Sequence, residues 1–162
     1  MNNFGESTKT MDPADISILS IIQTDNHLSH AAIGDQIGLS TSAVRRRIRA
    51  MEQSGIIASN IAVLDPERFG VTLILELAFD SETPERYSAL DTFIENSPHI
   101  QQSYHVAGEV DYILIVHGPS LRWYEDWVGE HFTSNTHIKR VNTRVVWSRR
   151  KFDPSITFSK TS

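Results

Sequence analysis

The sequence predicts an α+β protein in two parts: an N-terminal helix-turn-helix of winged-helix-like type, then a ferredoxin-like βαββαβ domain. Three observations carry that expectation. Apolar residues in the first third recur every three or four positions, the period of a helix with one buried face. From Val71 the period falls to two, and strand and helix patterns follow in the order βαββαβ. Between the two regimes, Asp65-Pro66 and Gly70 punctuate a stretch that belongs to neither. The expected layout is a flexible tail over 1–10, a helical domain over 11–58, a β linker over 59–70, a sheet domain over 71–151 and a C-terminal tail over 152–162.

Each element has a local reason. Asp12-Pro13 starts a first helix, with the carboxylate as cap and proline in the first turn, and Ile16, Ile18, Leu19 and Ile22 supply its apolar stripe. Asp25-Asn26-His27 is a turn. Ser29 caps a second short helix with Ala32, Ile33 and Ile37 inward, and Gly38 ends it. Ser40 caps a third helix, in which Val44, Ile48 and Met51 form the inner stripe and which stops near Ser54-Gly55. The β-branched run Ile56–Val63 predicts a strand or small wing. In the sheet domain, Val71, Leu73, Leu75, Leu77 and Phe79 share one face of a strand. Pro84 opens a helix with Tyr87, Leu90 and Ile94 in line. Two strands, 100–107 and 110–117, meet at Gly108-Glu109. Ser120 caps a helix with Leu121, Tyr124, Val128 and Phe132 inward, and His137–Trp147 is the last strand.

Composition narrows the class. The chain has 162 residues, is 40% hydrophobic and 22% charged, and contains no cysteine. It therefore folds without disulfides and without thiolate metal sites. No apolar run approaches the ~18 residues of a membrane helix, so no membrane partner is expected. The first residues lack a secretory pattern, and the expected location is the cytoplasm. Net charge is −5, yet four of the five basic residues in the first 64 lie between 45 and 49. A small basic patch on an acidic body suits selective, salt-dependent binding of duplex DNA rather than bulk attraction to it.

That patch lies on the third helix. On a wheel centred on its apolar stripe, Ser42, Arg45, Arg46, Arg49 and Gln53 face away and Arg47 lies at the edge. Guanidinium groups on the outer face of a short capped helix are the chemistry of contact with guanine edges and phosphates. Arg45, Arg46 and Arg49 are the expected DNA contacts. Thr41 and Ser42 either touch DNA or only cap the helix. Arg47 is expected along the packing edge with its head on a phosphate.

The sheet domain has only two helices, which cover one face. The other face would carry Ile74, Ala78, Ile113, Ile115 and Val146. Exposed apolar area of that kind predicts a homodimer. Two helix-turn-helix units on a twofold axis would then reach half-sites about one helical turn apart, ~34 Å, or a multiple of that.

Residues 11–151 resemble the Lrp/AsnC, or feast/famine, transcription regulators. The resemblance rests on 11–19 (MDPADISIL), 37–47 (IGLSTSAVRRR), Gly55-Ile56-Ile57, the turn Gly108-Glu109-Val110-Asp111-Tyr112, and 141–146 (VNTRVV). His27 and Gly34 depart from common family choices without disturbing the pattern. The resemblance implies a C-terminal domain that binds an effector, an amino acid or related metabolite. It also implies dimers that assemble further to tetramers or octamers, with the pocket at a subunit interface.

A free amino acid is a zwitterion, so its pocket needs an acceptor for ammonium and donors for carboxylate. Asp111 offers the acceptor, and backbone N–H groups at Gly108 and the Thr143 hydroxyl are the donors. Tyr104, Val106 and Tyr112 either shape the side-chain pocket or belong to the core. The alternative for Gly108 and Asp111 is a tight hairpin turn and nothing more.

Catalytic, cofactor and metal sites are not expected. The seven histidines have no H-x-x-x-H pair, and there is no G-x-S-x-G, P-loop or glycine-rich dinucleotide turn. Trp123 and Trp127, at i and i+4, read as packing or assembly surface rather than a base-stacking platform. The chain thus reads as a regulator rather than an enzyme. Two alternatives stand beside that reading. Some haem-pathway decarboxylases are similar in two-domain architecture and act on a tetrapyrrole, and a metabolite-binding oligomer without DNA binding would need no arginine face. The outward arginines favour the regulator.

Overall fold

Each helix of the first unit begins where a short polar side chain takes up an unpaired backbone N–H. The computed structural model describes residues 11–80, 83–133 and 138–158. Helix α1 (Pro13–Ile22) is capped by Asp12, which accepts from the Ala14 amide at 2.8 Å. Ser29 does the same for α2 (His30–Ile37), and Ser40 for α3 (Thr41–Gln53). Gly38, at φ 72°, ends α2 in the left-handed region, and the Leu39 amide turns back to the Gly34 carbonyl at 3.0 Å. The turn is tight enough that a Cβ on Gly34 would run into the Leu39 carbonyl oxygen. Ile18, Leu19, Ile33, Val44 and Met51 form the buried core of this unit. The stripe of α1 is centred on Ile18 and Leu19, with Ile16 and Ile22 only half-buried.

Two expectations for the flanks of this unit need correcting. Residues 56–65 form no strand or wing, and the linker holds only a short 3₁₀ turn, Pro66–Arg68. A strand needs a neighbour for its amides and carbonyls, and no described segment pairs with this one. Ile56, Ile61, Val63 and Leu64 stay exposed, while Ile57 packs on the helical core. Conversely, the described part of the C-terminal tail, 152–158, packs on the helical unit. Residues 152–158 belong with 11–62 in one unit, and the other unit is Val63–Lys151. Phe158 packs on the helical core, and the Gln23 side-chain amide pairs with the Ile156 backbone.

The sheet unit is a four-stranded antiparallel sheet in the order β2-β3-β1-β4, the ferredoxin-like arrangement. Its elements are β1 (Val71–Phe79), α4 (Pro84–Asn96), β2 (Ile100–His105), β3 (Tyr112–Gly118), α5 (Leu121–Val128) and β4 (Ile138–Val145). Leu73, Leu75 and Leu77 of β1 with Tyr112, Leu114 and Val116 of β3 form the helix-covered face. Ile74, Ala78, Ile113 and Ile115 lie on the other, with the Glu76–Arg144 ion pair at 2.9 Å among them. The Val146 amide extends the last ladder to the Thr72 carbonyl.

Details differ from the expected strands and helices. The strand pair is shorter, leaving 106–111 as the connection. Leu121 is exposed rather than inward, because the first residue of a helix points back past its end. Trp127 takes the buried place with Tyr124, and a π-helical turn, Gly129–Thr133, carries Phe132 into the core. His137, expected to open the last strand, and the tail over 1–10 lie outside the described residues.

Candidate functional site

The outer face of α3 is built by its cap and its stripe. With Val44 and Met51 fixed in the core, Thr41, Ser42, Arg45, Arg46 and Arg49 are all exposed. Among the described residues, Arg45, Arg46 and Arg49 make no ion pair. The Ser42 hydroxyl is 3.1 Å from that of Ser40, so it supports the cap. Arg47 is different. Its guanidinium donates to Asp15 at 2.9 Å and to Asp12 at 3.2 Å, on the first turn of α1. The Asp15 bond, and then the charges of both carboxylates, hold its proton more tightly than usual. Asp12 is in turn held below the usual carboxylate range, first by the Ala14 amide and then by Arg47. Arg47 therefore runs along the helix edge as expected, but its head is held by α1 rather than free for a phosphate. The acidic residues at the start of α1 were visible in the sequence; their approach to Arg47 was not.

The six effector candidates divide. Gly108, at φ 144°, and Asp111 line an open groove of about 700 Å³ with Ala78, Phe79, Asp80, Glu109, Lys139 and Arg140. Asp111 is already engaged: its carboxylate accepts the Phe79 amide at 2.7 Å and the Tyr87 hydroxyl at 3.2 Å. Its own amide donates to the Leu77 carbonyl, and its carbonyl accepts from the Val106 amide. Asp111 thus ties the connection to the end of β1. Tyr112 is buried in the core and donates to Asp91 at 2.8 Å. Burial, then that hydrogen bond, pushes its phenol well above the usual range. Thr143 lies on the helix-covered face, 2.6 Å from the Tyr124 hydroxyl. Burial raises the Tyr124 phenol, and the Thr143 bond partly offsets this. Tyr104 is on the opposite face, exposed and bonded to Gln102, and Val106 is half-buried in the connection.

Sequence reasoning missed the basic side of the groove. Lys139 and Arg140 sit at the start of β4, and Arg140 donates to the Glu109 carbonyl at 3.0 Å. Adjacent cations in the last strand were the available signal. Only the register of β4 on β1, which pairs Arg140 with Ala78, brings them to the turn. Among the described residues there is no group of three His, Asp or Glu placed to hold a metal ion, and no helix is long and apolar enough to cross a membrane.

A helix-turn-helix with unpaired outward arginines, joined to a ferredoxin-like unit with a groove of mixed charge, is the build of an effector-responsive DNA-binding regulator. Residues 11–58 match the family model for winged helix-turn-helix DNA-binding domains, and residues 72–156 match that for the Lrp/AsnC ligand binding domain. The chain belongs to the Lrp/AsnC family of transcription regulators. It is 30% identical over 143 residues to an uncharacterised helix-turn-helix regulator of Sinorhizobium fredii, covering 87% of this chain and 85% of that one. The leucine-responsive regulatory protein of Escherichia coli is 26% identical over 145 residues, 88% of each chain. The crystal structure of an AsnC family regulator from Agrobacterium tumefaciens superposes with a TM-score of 0.81 at 28% identity, over 91% of this chain and 97% of that one. A Neisseria meningitidis regulator solved as an L-Met complex shares the fold, with a TM-score of 0.82 at 21% identity over 91% and 97% of the two chains.

Proposed function

We propose that Arg45, Arg46 and Arg49, with Thr41 and Ser42 at the start of α3, read double-stranded DNA, and that an amino acid binds at the 108–111 turn. The carrying observation is the arginine face: three exposed guanidinium groups without an ion pair among the described residues, on a helix whose other side is locked in the core. Unpaired cations so held meet phosphate or base edges at little conformational cost.

The groove supports the effector half of the reading. Lys139 and Arg140 supply cations for a carboxylate, and Asp80 and Glu109 supply acceptors for an ammonium group. Asp111 shapes the groove through its bonds to Phe79 and Tyr87, and Gly108 lets a ligand approach the backbone. Two relatives point to the same ligand class, one named as leucine-responsive and one solved with L-methionine.

The helix-free sheet face, with Ile74, Ile113 and Ile115 half-buried on it, supports a homodimer, and larger even assemblies are the family expectation. Such a protein works by binding rather than by catalysis, in the cytoplasm where its DNA lies.

Gel shifts on the DNA upstream of its own gene, repeated over a salt series, test the first half. Arg45→Ala with Arg46→Ala should weaken binding and flatten the log K against log salt slope by about 0.9 per lost phosphate contact. An unchanged slope and affinity would sink the assignment. Thermal shift across the amino acids tests the second half. At least one should raise the melting temperature of wild type, with the response lost in Lys139→Ala or Arg140→Ala. A flat response in wild type would remove the effector reading.

A further inference from the structure

We infer that the return segment Phe152–Phe158 is a working part of the DNA-binding unit: it seats α1, and through α1 it holds α3 in place for DNA. This rests on the reading that α3 contacts DNA.

Two contacts of different kinds hold the segment. The Gln23 side chain, just past the end of α1, donates through Nε2 to the Ile156 carbonyl at 3.0 Å. Its Oε1 accepts from the Ile156 amide at 2.9 Å. One side-chain amide thus satisfies both backbone groups of a single residue, as a neighbouring strand would. Two residues on, Phe158 packs on the core of Ile18, Leu19, Ile33, Val44 and Met51. Asp153 pre-shapes the run by accepting from the Ser155 amide at 3.0 Å. The Ile156 side chain is 67% exposed, so this position is recognised through its backbone.

The seated helix also grips α3, alongside α2. Asp12 and Asp15 of α1 clamp Arg47, the arginine that faces α1 rather than outward. A line of contact therefore runs from Ile156 through Gln23 to α1, then through Arg47 to the helix that carries Arg45, Arg46 and Arg49, while Phe158 packs on the core that the three helices share. A passive tail would have neither the paired backbone nor the core side chain.

The test uses the full chain beside a variant ending at Lys151, with Gln23→Ala, Phe158→Ala, Phe158→Leu and Ile156→Ser. Hydrogen exchange of the α1 amides and gel shift on the upstream duplex are read together. We expect the truncation to speed α1 exchange and weaken DNA binding, each by more than about fivefold. Phe158→Leu and Ile156→Ser should stay close to wild type, because they keep the apolar contact and the backbone pair respectively. If the truncated chain fails to fold, Phe158→Ala and Gln23→Ala decide by the same two readouts. A change below about fivefold in either readout overturns the inference. Failure of the intact chain to shift DNA would strike the DNA reading instead, and α1 exchange would still decide whether the segment seats the helix.

Discussion

Three residues carry chemistry that their type alone does not reveal. Gly34 is one, since its missing Cβ lets α2 meet the Leu39 carbonyl at the turn of the motif. Gly34→Ala should cost on the order of 1–3 kcal/mol by overpacking, read as a lower denaturant midpoint. Arg47 is the second. Its guanidinium is committed to Asp12 and Asp15, so Arg47→Ala should lower the melting temperature and leave the salt slope of DNA binding unchanged. Asp111 is the third. Both of its oxygens serve the protein, so Asp111→Ala should destabilise the ligand-free chain by about 1–3 kcal/mol, measurable by denaturant melting. For that reason Lys139 and Arg140 are the cleaner probes of the groove.

At the scale of elements, much was legible because the local signals are strong. Asp12, Ser29, Ser40 and Ser120 each cap the helix they announce, and the glycine after α2 ends it. The alternation of Leu73, Leu75 and Leu77 with Ile74 and Glu76 gave the faces of β1 directly. What stayed hidden depends on partners distant in sequence. Ile56–Val63 has strand propensity but no neighbour to pair with, and Arg47 has the composition of a DNA contact but two carboxylates within reach. At the groove, Gly108 and Asp111 belong to a turn that the sequence singles out. Lys139 and Arg140 were not singled out, because register placed them there, and register cannot be read from one strand.

The β1–β4 pairing also gives a pH dependence. Glu76 is held below its ordinary value of 4.5, first by its Arg144 hydrogen bond and then by Asn142. A depressed carboxylate stabilises above the unfolded value and loses that contribution as pH falls through the folded one. The melting temperature should therefore drop more steeply below about pH 4.5 in wild type than in Glu76→Gln.

For the whole molecule, the open sheet face and the exposed linker set the expected state. Ile74, Ile113 and Ile115 are half-buried on that face, Ala78, expected there as exposed, is buried, and Trp147 beyond β4 is 96% exposed. Ile115→Glu at the centre should convert the expected dimer to monomer at micromolar concentration in light scattering and weaken DNA binding through lost pairing. A wild-type monomer under the same conditions would remove the dimer reading. The acidic body makes that pairing matter more, because net charge of −5 gives little general attraction to DNA.

The Gln23–Ile156 pair spans 133 residues, and this has a consequence for how the protein is made. On the ribosome the three helices emerge before the sheet unit, yet Phe158, which packs on their core, arrives only after that unit has been synthesised. Contacts so distant in sequence close late in folding. A nascent or prematurely terminated chain would thus carry the arginine helix without its finished support. If the return segment supports α3 in that way, the order of synthesis would leave the DNA reader incomplete until the sheet unit exists.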